Sequence, residues 1–177
     1  MIKYANVSEV PLSLAVFLAT DNYDHDSNTI SATALIKPIR QIILSDRVPE
    51  GEGIVDLVQM TASRMGSAIH DAIERSWKDN HQVALAALGY PKKIIERVRI
   101  NPEPAELTPD IIPIYLEQRE KKQVGKFLVS GKFDFIGDGR VEDFKTTSAY
   151  TAMRGDNDEK YIWQGSIYRW LNPQKIT

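Results

Sequence analysis

The chain has 177 residues, 42% of them hydrophobic, with 22 Lys and Arg against 24 Asp and Glu and a formal net charge of -2. That length favours one domain with a sizeable core, and the near-neutral charge gives no global basic signal for nucleic acid while leaving room for a local basic groove. There is no cysteine, so this chain alone cannot build a disulfide, a zinc–thiolate site or an iron–sulfur cluster. No apolar run reaches the length of a membrane span. Residues 11 to 20 (PLSLAVFLAT) are mildly apolar but lack the basic leader of a signal peptide, so no membrane partner is expected.

The first thirty residues read as a loosely packed lead-in, with a polar, turn-rich stretch over residues 21 to 29. Ser31 or Thr33 is placed to cap a helix running to about residue 45, with Ala34, Leu35, Ile39, Ile42 and Ile43 on one face. Residues 48 to 53 break it. A long helix from about residue 54 or 61 to residue 88 follows, stopped by Gly89 and Pro91. Its apolar positions Met65, Ile69, Ile73 and Trp77 recur every fourth residue. Residues 92 to 99 read as one or two more helical turns. Residues 101 to 113 hold four prolines and read as an extended connector. Strands are predicted over residues 111 to 118, 124 to 136 and 140 to 147. A turn over residues 155 to 158 leads to a helix from 159 to 171 with Tyr161, Ile162, Ile167, Tyr168 and Leu171 on its apolar side.

Residues 131 to 147 (GKFDFIGDGRVEDFKTT) carry the chemistry. They read as a hairpin turning at Gly137-Asp138-Gly139, with Asp134 on one strand and Asp143 on the next. Strand alternation puts Asp143 and Lys145 on one side. Facing residues on paired strands have Cβ atoms ~5 Å apart, within reach of one shared cation. A divalent cation held by carboxylates lowers the pKa of its water and polarises a phosphate, and a neighbouring lysine stabilises developing negative charge. Mg2+ prefers oxygen ligands and keeps several waters, so two or three protein ligands suffice. The triplets Glu120-Lys121-Lys122 and Asp158-Glu159-Lys160 share the acid-x-Lys spacing but lack a facing acid and apolar neighbours. They read as solvated charge. Upstream, Gly66, His70 and Glu74 share a helix, with His70 and Glu74 one turn apart. Downstream, Gln164 and Tyr168 repeat that spacing.

The ordered set G-x-x-x-H-x-x-x-E, D, D-x-K and Q-x-x-x-Y over residues 66 to 168 resembles the RecB-like branch of the PD-(D/E)XK nucleases. That branch includes lambda-type phage exonucleases and recombination nucleases. The resemblance implies an α/β, restriction-endonuclease-like core with a central mixed sheet flanked by helices. It implies a Mg2+-dependent (or Mn2+-dependent) deoxyribonuclease, an exonuclease in DNA recombination, repair or phage DNA processing. It implies His70, Asp134, Asp143 and the main-chain carbonyl of Phe144 as metal ligands, and Asp134, Asp143 and Lys145 as the catalytic set. Glu74, Gln164 and Tyr168 are implied as supporting or DNA-positioning residues. DNA is the implied partner in the cytoplasm of a bacterial cell, and a phage origin fits as well. The resemblance also allows a recombination or single-strand-annealing partner and a homo-oligomer. Family members often carry more structure after the Q-x-x-x-Y helix, whereas this chain stops at Thr177, which fits a small member or a fragment.

The same residues have plainer readings. Asp134 and Asp143 also fit strand-edge acids paired with Lys132, Arg140 or Lys145. His70 fits a boundary histidine, and Glu74 an i,i+4 partner of Lys78. Gln164 fits an exposed helix position and Tyr168 a core one. Arg64, Lys92, Lys93, Arg97 and Arg99 read as a solvated face rather than DNA contacts, and Trp77, Trp163 and Trp170 as packing residues. At the level of function, the rivals are a non-catalytic nucleic-acid- or protein-binding module on the same fold and a site-specific endonuclease of the same superfamily.

Overall fold

The computed structural model describes residues 3–20, 28–45, 47 and 54–177. The predicted break over residues 48 to 53, and residues 21 to 27 of the predicted polar loop, lie outside the described residues. Residues 3–20 carry a strand and a helix, with most of their side chains exposed. Strand β1 (Lys3–Ala5) pairs in parallel with β3 (Ile54–Asp56). Helix α1 (Leu12–Ala19) buries Ala15 and Leu18 with Leu57 in a small satellite core. Burying even two or three apolar side chains here offsets part of the cost of ordering the segment.

Strand β2 (Ile30–Ser31) runs into α2 (Ala32–Leu35), capped as expected by the Ser31 hydroxyl, which accepts from the Ala34 N–H at 3.1 Å. The predicted continuous helix is divided. Pro38 has no N–H to give and disfavours helical backbone at Lys37, so α2 stops and α3 (Ile39–Ser45) restarts beyond it. Leu35, Ile39 and Ile43, expected on a packed face, are exposed. Helix α4 (Thr61–Ala87) ends where Gly89 predicts. Only the later part of its apolar stripe packs: Trp77 is in the core while Met65 and Ile69 are exposed. Helix α5 (Lys92–Ile95) is a single turn. The chain then becomes strand β4 (Val98–Ile100), because the alternating Val98 and Ile100 find a partner strand.

Strands β5 (Ile112–Val124) and β6 (Phe127–Gly137) form a long antiparallel hairpin turning at Gly125 and Lys126. The first strand is therefore longer, and the second starts later, than the sequence suggests. Strand β7 (Arg140–Glu142) follows a tight turn in which Asp138 and Gly139 both have positive φ, 51° and 73°. That pair of left-handed residues matches the twist of the flanking strands. The third predicted strand ends at Glu142, so Asp143 and Lys145 lie just beyond it. Helix α6 (Ala149–Arg154), absent from the sequence reading, is capped by Ser148. Helix α7 is Asp158–Leu171. Its buried side is Gln164, Ile167 and Tyr168, while Ile162 and Tyr161 face outward.

The central sheet runs β2-β6-β5-β4, with β7 also paired to β6. Its β2–β6 and β4–β5 pairs are parallel and the β5–β6 and β6–β7 pairs antiparallel. The protein is thus α/β with a mixed sheet between helices. On one face, Trp77 and Leu85 of α4 pack on Val98, Ile114, Leu116 and Phe135. On the other, Tyr168 of α7 packs with Tyr115, Phe133, Ile136 and Ile176. Among the described residues, no helix is long and apolar enough to cross a membrane.

The hairpin departs from simple alternation at one place. Tyr115 and Ile136 face α7, and so do Gln118, held by Lys175 of the C-terminal tail, and Phe133. Between them, both Leu116 and Glu117 on β5, and both Asp134 and Phe135 on β6, point toward α4. The pairing register stays constant across the slip. Glu117 takes it up with a φ of +51° in mid-strand, a conformation that costs a non-glycine residue about 1–3 kcal/mol and persists only where its surroundings enforce it.

Candidate metal centre

Asn101 is part of what enforces the slip. It follows the last residue of β4, and its side-chain amide continues the ladder. It accepts from the Leu116 N–H at 2.7 Å and donates to the Leu116 carbonyl at 3.2 Å. The residue before Glu117 is thereby clamped, and Glu117 turns its carboxylate under α4.

His70, on α4, meets that carboxylate. Its Nδ1 lies 3.6 Å from Glu117 Oε1 and 3.4 Å from Asp134 Oδ1. Its Nε2 donates to the Phe144 carbonyl at 2.9 Å, and its ring stands edge-on to the Phe144 ring. With the proton on Nε2, the Nδ1 lone pair faces two carboxylates. Positive charge at this point, from a proton on Nδ1 or from a cation, relieves the convergence. A histidine that ligates a metal through one nitrogen and donates the other N–H to a backbone carbonyl has this arrangement. Octahedral bonds of ~2.1 Å put adjacent ligands about 3.0 Å apart, so 3.4 and 3.6 Å require only a slight contraction. Two carboxylates and an imidazole suit Mn2+ at least as well as Mg2+.

The segment after β7 is held by the same side chains. The Phe144 N–H donates to Asp134 Oδ2 at 2.7 Å while its carbonyl accepts from His70. Both backbone polar groups of Phe144 have left the sheet ladder for site residues, which is why the strand stops at Glu142. Gly66 on α4 permits the approach: a Cβ there would stand 3.0 Å from Thr146 Oγ1. Asp143 is then paired with Lys145 and accepts from Gln164 Nε2 at 3.2 Å. Gln164 in turn donates to the Tyr168 hydroxyl at 2.7 Å, and both residues are buried.

Asp134 is 9% exposed. Desolvation pushes its carboxyl above the ordinary value. The Phe144 N–H and His70 work against this shift, and the Asp143 and Glu117 charges add to it. Glu117 is met by the Lys132 ammonium, at 2.6 Å. These groups line one cavity of about 630 Å³, which also takes in Phe17, Thr20, Arg119 and Ser130.

The structure therefore brings His70, Asp134, Asp143, Lys145, Gln164 and Tyr168 together. It does not bring in Glu74, which pairs with Lys78 at 2.6 Å along the helix. The Phe144 carbonyl is engaged by His70 rather than turned to a ligand position. Among the described residues, the group whose potential ligand atoms lie together is His70, Glu117 and Asp134, with Asp143 paired to Lys145. Glu117 escaped the sequence reading because its facing partner depends on where the hairpin turns. Placing the turn at Gly125-Lys126 sets Glu117 opposite Asp134, and that was the available signal. Arg64, read as solvated, is buried and donates to the Leu18 carbonyl at 3.1 Å. Trp77 packs as expected, whereas Trp163 and Trp170 are largely exposed. In comparisons with family models, with curated proteins and with solved structures, nothing matches the chain.

Proposed function

We propose that the chain is a metal-dependent deoxyribonuclease on a restriction-endonuclease-like core, similar to the RecB-like PD-(D/E)XK enzymes. On this reading it acts as an exonuclease in DNA recombination, repair or phage DNA processing. The observation that carries this reading is the convergence of His70 Nδ1, Glu117 and Asp134 in one cavity with the Asp143–Lys145 pair. A divalent cation bound there supplies charge neutralisation and a more acidic water. His70, Glu117 and Asp134 would hold it. The Lys145 ammonium, steered by Asp143, stabilises the negative charge that grows on the phosphate as its leaving oxygen departs. Gln164 fixes the Asp143 carboxylate, and Tyr168 fixes Gln164, so that neither has to reorganise during the reaction. The cavity is bounded on one side by Phe17, Thr20 and the β2–α2 junction at Ser31 and Ala32. A bounded cavity suits a strand end better than the middle of a duplex.

The test is cleavage of linear and covalently closed DNA in Mg2+ and in Mn2+. Asp134→Ala, Asp143→Ala and Lys145→Ala are each expected to abolish cleavage with an unchanged circular dichroism spectrum. Activity surviving all three overturns the site assignment. Efficient cutting of closed circles overturns the exonuclease reading.

A further inference from the structure

We infer that Lys132 is a positioning residue that sets which divalent cation the cluster accepts. By holding the outer oxygen of Glu117 it keeps that carboxylate monodentate, which favours Mn2+ and Mg2+ over Ca2+. The inference rests on the metal centre proposed above and deepens it. It does not depend on what the bound cation then helps to cleave.

Each residue of the cluster divides its two polar atoms in the same way, one turned inward and one held from outside. His70 turns Nδ1 inward and donates from Nε2 to the Phe144 carbonyl at 2.9 Å. Asp134 turns Oδ1 toward that Nδ1 at 3.4 Å and accepts from the Phe144 N–H on Oδ2 at 2.7 Å. Glu117 turns Oε1 toward the same Nδ1 at 3.6 Å and takes the Lys132 ammonium on Oε2 at 2.6 Å. Each residue thus has one atom left for a cation. Two of the outer anchors are main-chain groups of Phe144. The third is a side chain, which makes Lys132 the anchor that a substitution removes cleanly. Lys132 lines the cavity and faces Arg119 across the ladder. Like charges so placed cost stability, and the pairing with Glu117 offsets that cost.

Denticity separates the cations. Mg2+ and Mn2+ are satisfied by octahedral single-atom ligands, with water or phosphate oxygens completing the set. Ca2+ takes about six to eight oxygens at longer distances and gains from carboxylates that bind through both oxygens. A cluster that offers one oxygen from each carboxylate, and a nitrogen, gives Ca2+ less than it can use. For Glu117 to bind through both oxygens it must first give up the ammonium on Oε2. Repulsion by the Lys132 charge acts on every divalent cation alike, so it cancels when two affinities are compared as a ratio. The hold on Oε2 does not cancel.

The experiment titrates wild type, Lys132→Met and Lys132→Arg with Mn2+ and with Ca2+ in a calorimeter, without DNA. The Lys132 side chain is 41% exposed, so methionine there leaves no buried gap, and circular dichroism checks the fold of each variant. Wild type should bind Mn2+ more tightly than Ca2+. In Lys132→Met the ratio of the Ca2+ and Mn2+ dissociation constants should fall by about tenfold, the lower end of the scale on which partners of metal ligands act. Lys132→Arg keeps a cationic donor for Oε2 and should keep the wild-type ratio. A wild-type ratio in folded Lys132→Met overturns the role of Lys132 and leaves the metal centre and the nuclease reading standing. A ratio that falls as far in Lys132→Arg also overturns it, because the donor on Oε2 would then not be what excludes Ca2+. A wild-type protein that binds Ca2+ as tightly as Mn2+ overturns it whatever the variants do. A wild-type protein that binds neither cation overturns the metal centre as well.

Discussion

The two faces of the β5–β6 hairpin treat the same residue types in opposite ways. Under the α7 side, Glu120 receives Lys175 and Asn172, Gln118 receives Lys175, and the same ammonium lies 4.3 Å above the Tyr115 ring. Each acceptor has a donor, as expected of polar groups that serve the fold. Under the α4 side, Glu117 has Lys132 and Asp134 has the Phe144 N–H, yet both carboxylates also converge on His70 Nδ1, a backbone residue is held at positive φ, and burial makes Asp134 protonate more readily than usual. On the proposed reading, the α4 side is the one that receives a ligand and the α7 side the one that serves the fold.

Exchanging one acid on each face should break or sharpen that contrast most strongly. Glu117→Gln should lower DNA cleavage by about 10²-fold, the scale for losing one charge-stabilising group at a reacting centre, and weaken Mn2+ binding in a calorimetric titration. Glu120→Gln should leave both unchanged. Equal activities of the two variants would remove the distinction between the faces.

The next effect is on stability and its pH dependence. Asp134 holds its proton more tightly folded than unfolded. In EDTA it therefore costs the protein stability as pH rises from about 4, the unfolded carboxylate value, through the higher folded one. Asp134→Asn should remove that loss and melt at a higher temperature than wild type near neutral pH. Mn2+ at about 100 times its Kd should add about 2.7 kcal/mol to the wild type and nothing to the variant. Melting curves with and without metal decide it. Smallest is Lys175→Ala, which takes a donor from Gln118 and Glu120 and should cost about 1 kcal/mol in urea denaturation with no change in Mn2+ affinity.

Local chemistry made several features legible in the sequence. Ser31 caps a helix, Gly89 ends one, and Asp138-Gly139 turns a hairpin because each residue's own side chain or backbone freedom sets its immediate conformation. The chain order of His70, Asp134, Asp143, Lys145, Gln164 and Tyr168 was equally visible, and the structure gathers all of them. Glu74 was not separable in advance, since its helical spacing serves Lys78 as well as a ligand. The long predicted helix across Pro38 shows the opposite error, in which apolar periodicity outweighed a proline that has no N–H to give.

What the sequence by itself determined is the inventory: which acids, which histidine and which lysine exist, and which local turns and caps bring some of them near each other. Tertiary structure alone decided that Glu117 belongs with His70 and Asp134 and that Asp143 goes to Lys145. Side-chain direction along a strand is fixed only to a period of two residues. The slip that reverses this direction at Glu117 depends on Asn101, 16 residues earlier in the chain, and on α4 and the sheet closing over the same carboxylates.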